Sequence, residues 1–404
     1  MIKQMGGLTM ADFFSEAMGG GLKSLSPEQL EELLLRASAM REDQLRLIDN
    51  PTACKFCGST AIVKYGKTTG GIPRMHCKDC NATFTYGQAH EFANKPLSKD
   101  AATALVIGLV ENKSIRELAD TMGVCESTAH RYKILMMDIL AQRLADDLSE
   151  KDKDGNFVFN FNGDTQLDEY YTHLSFKGKR DPEFFIFVLE RFPNHHSSRE
   201  ERKEYLIKNG LLSRVEAIHG YFDLLCENTD NRSKGISMDQ VCTLVGVDEH
   251  GQLLVDAVSV GGLESEDALE SLTGRFNSNV LMITDSHGTY PFVAEMENVK
   301  HLQIDASKHV KGGRSLSAVN SIHSEMEKFM PKSEEREVAT KYLPQYWALF
   351  IWRWQHKGEL FSTRVEAMRK LLVEEWERYN PDYDEIKRRP FTINTKGRFK
   401  ATDV

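Results

Sequence analysis

Two pairs of cysteines constrain this chain more than any other feature. Cys54 and Cys57 have two residues between them, and after nineteen intervening residues Cys77 and Cys80 repeat the gap. A turn of that length aims two thiolates at one point, so two such turns can surround one tetrahedral ion. The stretch between the pairs is rich in glycine and β-branched residues and suits a short hairpin. The spacing is that of a four-cysteine zinc ribbon over residues 51–92. Sulfur fills all four ligand positions, so the zinc is expected to be structural rather than catalytic, and a zinc hydrolase is disfavoured. Lys64, Lys67, Arg74 and Lys78 of this module can face phosphate or simply water.

The chain has 404 residues, enough for two to four domains. Seven cysteines, four of them in metal-type pairs, read as thiols of a reducing cytosol rather than as disulfides. The first twenty residues contain early acids and no continuous apolar core, which is a poor secretion signal. No run approaches the roughly 18 apolar residues of a membrane span. Residues 1–50 form an expected helical segment, with an amphipathic helix opening at the Ser26-Pro27 cap. The net charge of −9 argues against a nucleic-acid binder only as a sum. Residues 51–145 carry 12 Lys and Arg against 8 Asp and Glu, and a basic tail is expected over residues 381–404.

A helix-turn-helix is expected over residues 96–148. An apolar helix runs from about Ala101 to Val110. Ser114 caps a second helix, and Gly123 ends it. Ser127 then caps a third, "STAHRYKILMMDIL". In a DNA-reading helix-turn-helix the polar start of the last helix faces the groove. That assigns Ser127, Thr128, His130, Arg131 and Lys133 to double-stranded DNA. Leu118, Val124, Ile134 and Leu135 are assigned to the interior.

From about residue 155 the pattern changes to strands. "DTQLDEYY" carries Asp168 in its middle, a hairpin follows over "VCTLVGVDEHGQLLVDAVSVGG", and "VLMIT" delivers Asp285. Three early strands, then helix, strand, helix, strand and helix, is the element order of a ribonuclease H-like α/β domain, expected over residues 155–380. In that order the first and fourth strands are neighbours, so Asp168 and Asp285 would share a crevice. Two close carboxylates repel unless divalent cations neutralise them. Two Mg²⁺ or Mn²⁺ ions could then support an in-line phosphoryl transfer. Taken singly, Asp285 reads equally as a strand-end cap and Asp168 as a surface acid.

The helix "AVNSIHSEMEKF" offers a third ligand. Asn320, His323 and Glu327 fall on one face of it, and Glu325 points away. The choice among the three stays open. His323 can also orient or protonate a leaving oxygen. Glu169, next to Asp168, is expected on the opposite face of its strand. Lys308, Lys311 and Arg314 stand where they could hold phosphate. Residues 181–235 are a charged insertion, either a helical subdomain or a solvated decoration.

With these blocks in view, the chain resembles a bacterial insertion-sequence transposase of the zinc-ribbon, Merlin-like branch of the DDE superfamily, whose core is retroviral-integrase-like. The resemblance rests on "CKFCGS", "HCKDC", "LDEYYTHLSFKG", "NRSKGISMDQVCTLVGVDEHGQ", "ITDSHGTY", "VNSIHSEMEKFM" and "VATKYLPQYWALFIWRWQ", which span about residues 50–355 in order. It implies binding of terminal inverted repeats, metal-dependent strand cleavage and strand transfer. It also implies a cytoplasmic, nucleoid-associated enzyme acting as a homodimer or higher oligomer. Asp168 and Asp285 match the first two catalytic acids, and Asn320 matches the Asn form of the third. His323 stands where related sequences place Glu. The lack of a third acid keeps one alternative alive, a DNA-binding regulator derived from such an enzyme that no longer cleaves.

Overall fold

The computed structural model describes residues 53–54, 56–67, 73–85, 97–194, 197–227, 240–305, 310–330 and 338–403. The expected N-terminal helix and Lys308 lie outside these residues. The chain divides into two compact units. The first comprises residues 1–133 and 356–378, the second residues 134–355 and 379–404.

In the first unit, β1 (Ile62–Lys67), β2 (Pro73–Cys77) and β3 (Thr83–Thr85) form an antiparallel sheet in that order. Side chains alternate between its faces. Met75, Cys77 and Phe84 turn inward with Cys54 to make a small core. Then come α1 (Lys99–Glu111) and α2 (Ile115–Met122). Ser114 and Glu117 form a reciprocal capping box at the start of α2, and Gly123 closes it at φ 66°. Gly108 lets the two helices meet, since a Cβ there would stand 2.4 Å from Leu118 Cδ1.

α3 runs over Glu126–Ser149. Ser127, expected as its cap, is its second residue instead. The carbonyl of Cys125 accepts the Thr128 and Ala129 N–H groups, so the chain enters the helix two residues early. Leu118, Ile134 and Leu135 are buried as expected, and Val124 is half-buried.

The second unit is built on a five-stranded mixed sheet. Its strands are β4 (Asp164–His173), β5 (Gln240–Asp248), β6 (Leu253–Val260), β7 (Leu281–Thr284) and β8 (Lys300–Gln303), in the order β6-β5-β4-β7-β8. β4 to β6 are an antiparallel meander, and β4, β7 and β8 run parallel. One face of β4 carries Leu167 into an apolar cluster with Ala268 and Leu272 of α4 (Ser265–Leu272) and with Tyr290 and Val293 of α5 (Thr289–Met296). The other face carries Tyr170, whose ring meets His323 of α6 (Ser317–Phe329) and Trp347 of α7 (Leu343–Gln355). The Trp347 indole donates to Thr243 Oγ1 at 3.2 Å, so this largest core side chain satisfies its N–H. The sheet thus lies between two helical layers. Gly246 opposite Leu167 is required by close packing, because a Cβ there would meet Leu167 and Phe161 side chains at 2.7 and 2.8 Å.

The insertion, described over residues 181–194 and 197–227, has its own core. Ile186, Phe192, Leu206, Val215 and Leu225 pack together from a π-turn and helices Arg199–Lys208, Leu212–Glu216 and Tyr221–Glu227. It is a helical subdomain rather than a solvated decoration. The expected basic tail is also folded. Arg389 reaches the fully buried Asp138 at 2.6 Å, Lys396 pairs with Glu264 at 2.8 Å, and Phe391, Ile393 and Phe399 are buried. These bases answer acids of the same unit.

Candidate active site and metal centre

The four cysteines of the ribbon come together. Their sulfurs all lie within 4.8 Å of one another, with Cys54–Cys80 at 3.7 Å and Cys57–Cys77 at 3.6 Å. A tetrahedral zinc with bonds of about 2.3 Å requires sulfurs about 3.8 Å apart, so the donor set fits that ion. The local cause is a repeated turn. Gly58 directly follows Cys57 at φ 71°, and Asn81 directly follows Cys80 at φ 59°. Each left-handed residue reverses the chain just beyond its pair of thiols. The clustered thiols pull one another apart: that of Cys77 is brought down to about 7, first by the Cys80 backbone N–H, while those of Cys57 and Cys80 are raised, Cys57 to about 12.

The acids of the second unit meet on the sheet. Asp164 pairs with Leu281 and Gln166 with Ile283 across the parallel β4–β7 ladder. Asp168 lies two residues beyond the end of that ladder on β4, Asp285 directly follows β7, and the charge of Asp285 acts on Asp168. Burial pushes the Asp168 carboxyl up to about 7, and the charges of Glu169 and Asp285 push in the same direction. Asp285 accepts the His287 backbone N–H at 2.8 Å, which fixes the turn leaving β7. Glu169 does point to the opposite face from Asp168, towards Tyr290. Burial raises its carboxyl too, and Asp285 and His287 act on it from the strand end. The buried Tyr290 hydroxyl and the Glu169 carboxyl act on each other, and burial raises both. No lysine or arginine among the described residues pairs with Asp168, Glu169 or Asp285.

α6 is fastened along the Asp168 face of β4 by alternate residues of the strand. Asp164 takes the Arg314 guanidinium in a fork of 2.6 and 3.1 Å. Gln166 Oε1 accepts the first free N–H groups of α6, from Ala318 at 2.9 Å and Val319 at 3.1 Å. Asp168 then meets His323, whose Nδ1 is 3.9 Å from Oδ2. Burial lowers the His323 imidazole to about 4, so it is neutral at pH 7, and its buried Nε2 has no hydrogen-bond partner among the described residues. Asn320 lies one turn earlier on α6, exposed, with no hydrogen bond of its side chain among the described residues. Glu327 is exposed, a turn beyond His323.

Several expected contacts differ. Arg314, assigned to phosphate, is engaged by Asp164 instead. Lys311 donates to the Gln303 carbonyl at 3.1 Å. Lys133, assigned to the DNA groove, is buried, and its ammonium donates to the Lys113 carbonyl at 2.8 Å. It ties α3 to the α1–α2 connection. Ser127 and Arg131 are exposed, and Thr128 and His130 half-buried, at the start of α3. Asp164, Gln166, His287 and Tyr290 were not singled out from the sequence. The available signal was the period-two polar run Asp164, Gln166, Asp168 along one strand.

Among the described residues no helix is long and apolar enough to cross a membrane. No family model, no curated protein and no solved structure matches this chain.

Proposed function

We propose that this protein is a DNA transposase of an insertion sequence, with a ribonuclease H-like catalytic core that cleaves and joins DNA strands. The observation that supports this reading is that neighbouring parallel strands carry Asp168, on β4, and Asp285, just past the end of β7, close enough for one charge to act on the other, in the strand order β6-β5-β4-β7-β8. Clustered carboxylates with no cationic side chain beside them among the described residues are the donor set that Mg²⁺ or Mn²⁺ satisfies. Asp168 and Asp285 would hold these ions, and Asn320 can add a neutral oxygen. Ions held by these residues would supply Lewis acidity to an attacking hydroxyl and to the leaving oxygen of a phosphoryl transfer. His323, neutral and half-buried beside Asp168, orients the reacting phosphate oxygen through its ring N–H. Asp285 is held by the His287 N–H, and the Asp164–Arg314 and Gln166–α6 contacts set the position of His323.

Zinc in the ribbon is structural in this reading. The exposed start of α3, with Ser127, Thr128, His130 and Arg131, reads duplex DNA at the terminal repeats. Two ends must be joined in one complex, so a homodimer or larger assembly acts, and sedimentation with paired ends will show it. The deciding experiment is strand nicking with Mg²⁺ or Mn²⁺ on DNA carrying the element's ends. Wild type nicks and Asp285→Ala does not; equal behaviour overturns the reading. A second reading, an inactive DNA-binding regulator, draws on Asn320, which brings no third carboxylate to the acids. Binding of the ends without any nicking selects it.

A further inference from the structure

We infer that the outward face of the ribbon sheet is a stacking platform for single-stranded DNA, with Tyr65 as its base-contacting ring. Alternation sets the face. Ile62 pairs with Cys77 and Lys64 with Met75, and the Met75 and Cys77 side chains turn inward. Val63, Tyr65, Arg74, His76 and Thr83 therefore share the other side. Tyr65 is 54% exposed and Val63 36%, although large apolar groups on so small a module have every reason to turn inward.

The ring is held in place rather than loose. The His76 ring lies 5.3 Å from it at 34°, and the Arg74 guanidinium sits 5.6 Å from its centroid. His76 Nδ1 is in turn 3.4 Å from Thr83 Oγ1 on the next strand. The Arg74 guanidinium lies over the Tyr65 ring and His76 beside it, so ring and guanidinium plane together make the flat cationic π-surface on which an unpaired base stacks. A duplex hides its base faces, so the occupant is a single strand. The charge agrees. Residues 53–85 hold Lys55, Lys64, Lys67, Arg74 and Lys78 against one acid, Asp79, in a chain of net charge −9. That acid accepts the Ser59 hydroxyl. Choosing DNA over RNA rests on the proposed function; the stacking itself does not.

The test is fluorescence anisotropy of the full-length, zinc-loaded protein with a labelled oligothymidylate of about 12 nucleotides. Tyr65→Ala is expected to weaken binding about 5- to 100-fold and Tyr65→Phe to leave it within about twofold. Arg74→Ala is expected to weaken it and flatten its salt dependence. Zinc content stays at one per chain throughout, which shows that the ribbon is folded. Binding of duplex DNA by Tyr65→Ala is expected to be unchanged. The inference is overturned by a wild type that does not bind oligothymidylate or binds oligouridylate alone. It is also overturned by a Tyr65→Ala variant that binds as tightly as wild type or loses duplex binding equally. Asp285→Ala keeps oligothymidylate binding, so loss of this site and loss of strand nicking are read separately.

Discussion

His323 Nδ1 stands 3.9 Å from Asp168 Oδ2, a distance too long for a hydrogen bond, and at neutral pH the imidazole carries no charge to offer the acid. Burial has pushed the two groups in opposite directions, Asp168 up to about 7 and His323 down to about 4. A cation at Asp168 must therefore displace a proton. Mn²⁺ affinity of the zinc-loaded protein is expected to rise about tenfold per pH unit up to about 7 and to level off above it. Titration followed by electron paramagnetic resonance will show this. An affinity flat from acid to neutral pH would exclude Asp168 as a ligand.

The same clustering costs stability. Asp168 keeps its proton to about 7 in the fold, whereas an unfolded chain releases it near 3.9. Between those values the unfolded state binds fewer protons, so this group lowers stability as pH rises. Asp168→Asn in magnesium-free buffer is expected to stabilise the fold at pH 8 by on the order of 1–3 kcal/mol, seen as a higher Tm, and to bring no gain near pH 4. His323 acts with the opposite sign between about pH 4 and 6.5, because the unfolded chain takes up its proton there. That contribution cancels in the comparison of variant with wild type. Thermal unfolding at both pH values decides, and a lower Tm at pH 8 refutes the account.

Gln166 anchors α6 without touching the reacting groups. Gln166→Ala strips the acceptor from two helix N–H groups, which costs about 1 kcal/mol. Strand nicking is expected to fall roughly 10- to 100-fold because His323 loses its seating. Divalent binding at Asp168 and Asp285 should stay the same, as calorimetry can establish.

Removing zinc should act locally. Cys77 is fully buried in the ribbon core, so Cys77→Ser loses both a ligand and a core side chain. Limited proteolysis with mass spectrometry is expected to find new cuts within residues 53–85. The unfolding transition of the unit carrying Asp168 should not move.

Packing between α1 and α2 is tested at Gly108. Gly108→Leu places bulk where Leu118 Cδ1 already lies and is expected to destabilise the first unit by about 1–3 kcal/mol. Gly108→Ala costs less, since the clashing methyl is the far end of a side chain that can swing. Denaturant midpoints of the two variants give the comparison.

Local chemistry made much of this protein legible from residues alone. The cysteine spacing predicted the clustered thiols, because four ligands in two tight turns leave one geometry. The Ser114–Glu117 box and Gly123 marked both ends of α2, because caps act within one turn. Apolar runs marked where β4 to β7 lie along the chain, whereas the neighbourhood of β4 and β7 was expected only from an assumed element order and is a tertiary fact. Tertiary structure decided where the positive charges went. Arg314 turned to Asp164, 150 residues away, and Arg389 to the buried Asp138, 251 residues away. Lys133 turned inward to a carbonyl twenty residues back. A sequence shows which side chains carry charge. Which carboxylate or carbonyl each one meets depends on chain segments that only folding brings side by side, and that pairing determines whether a base is left for DNA.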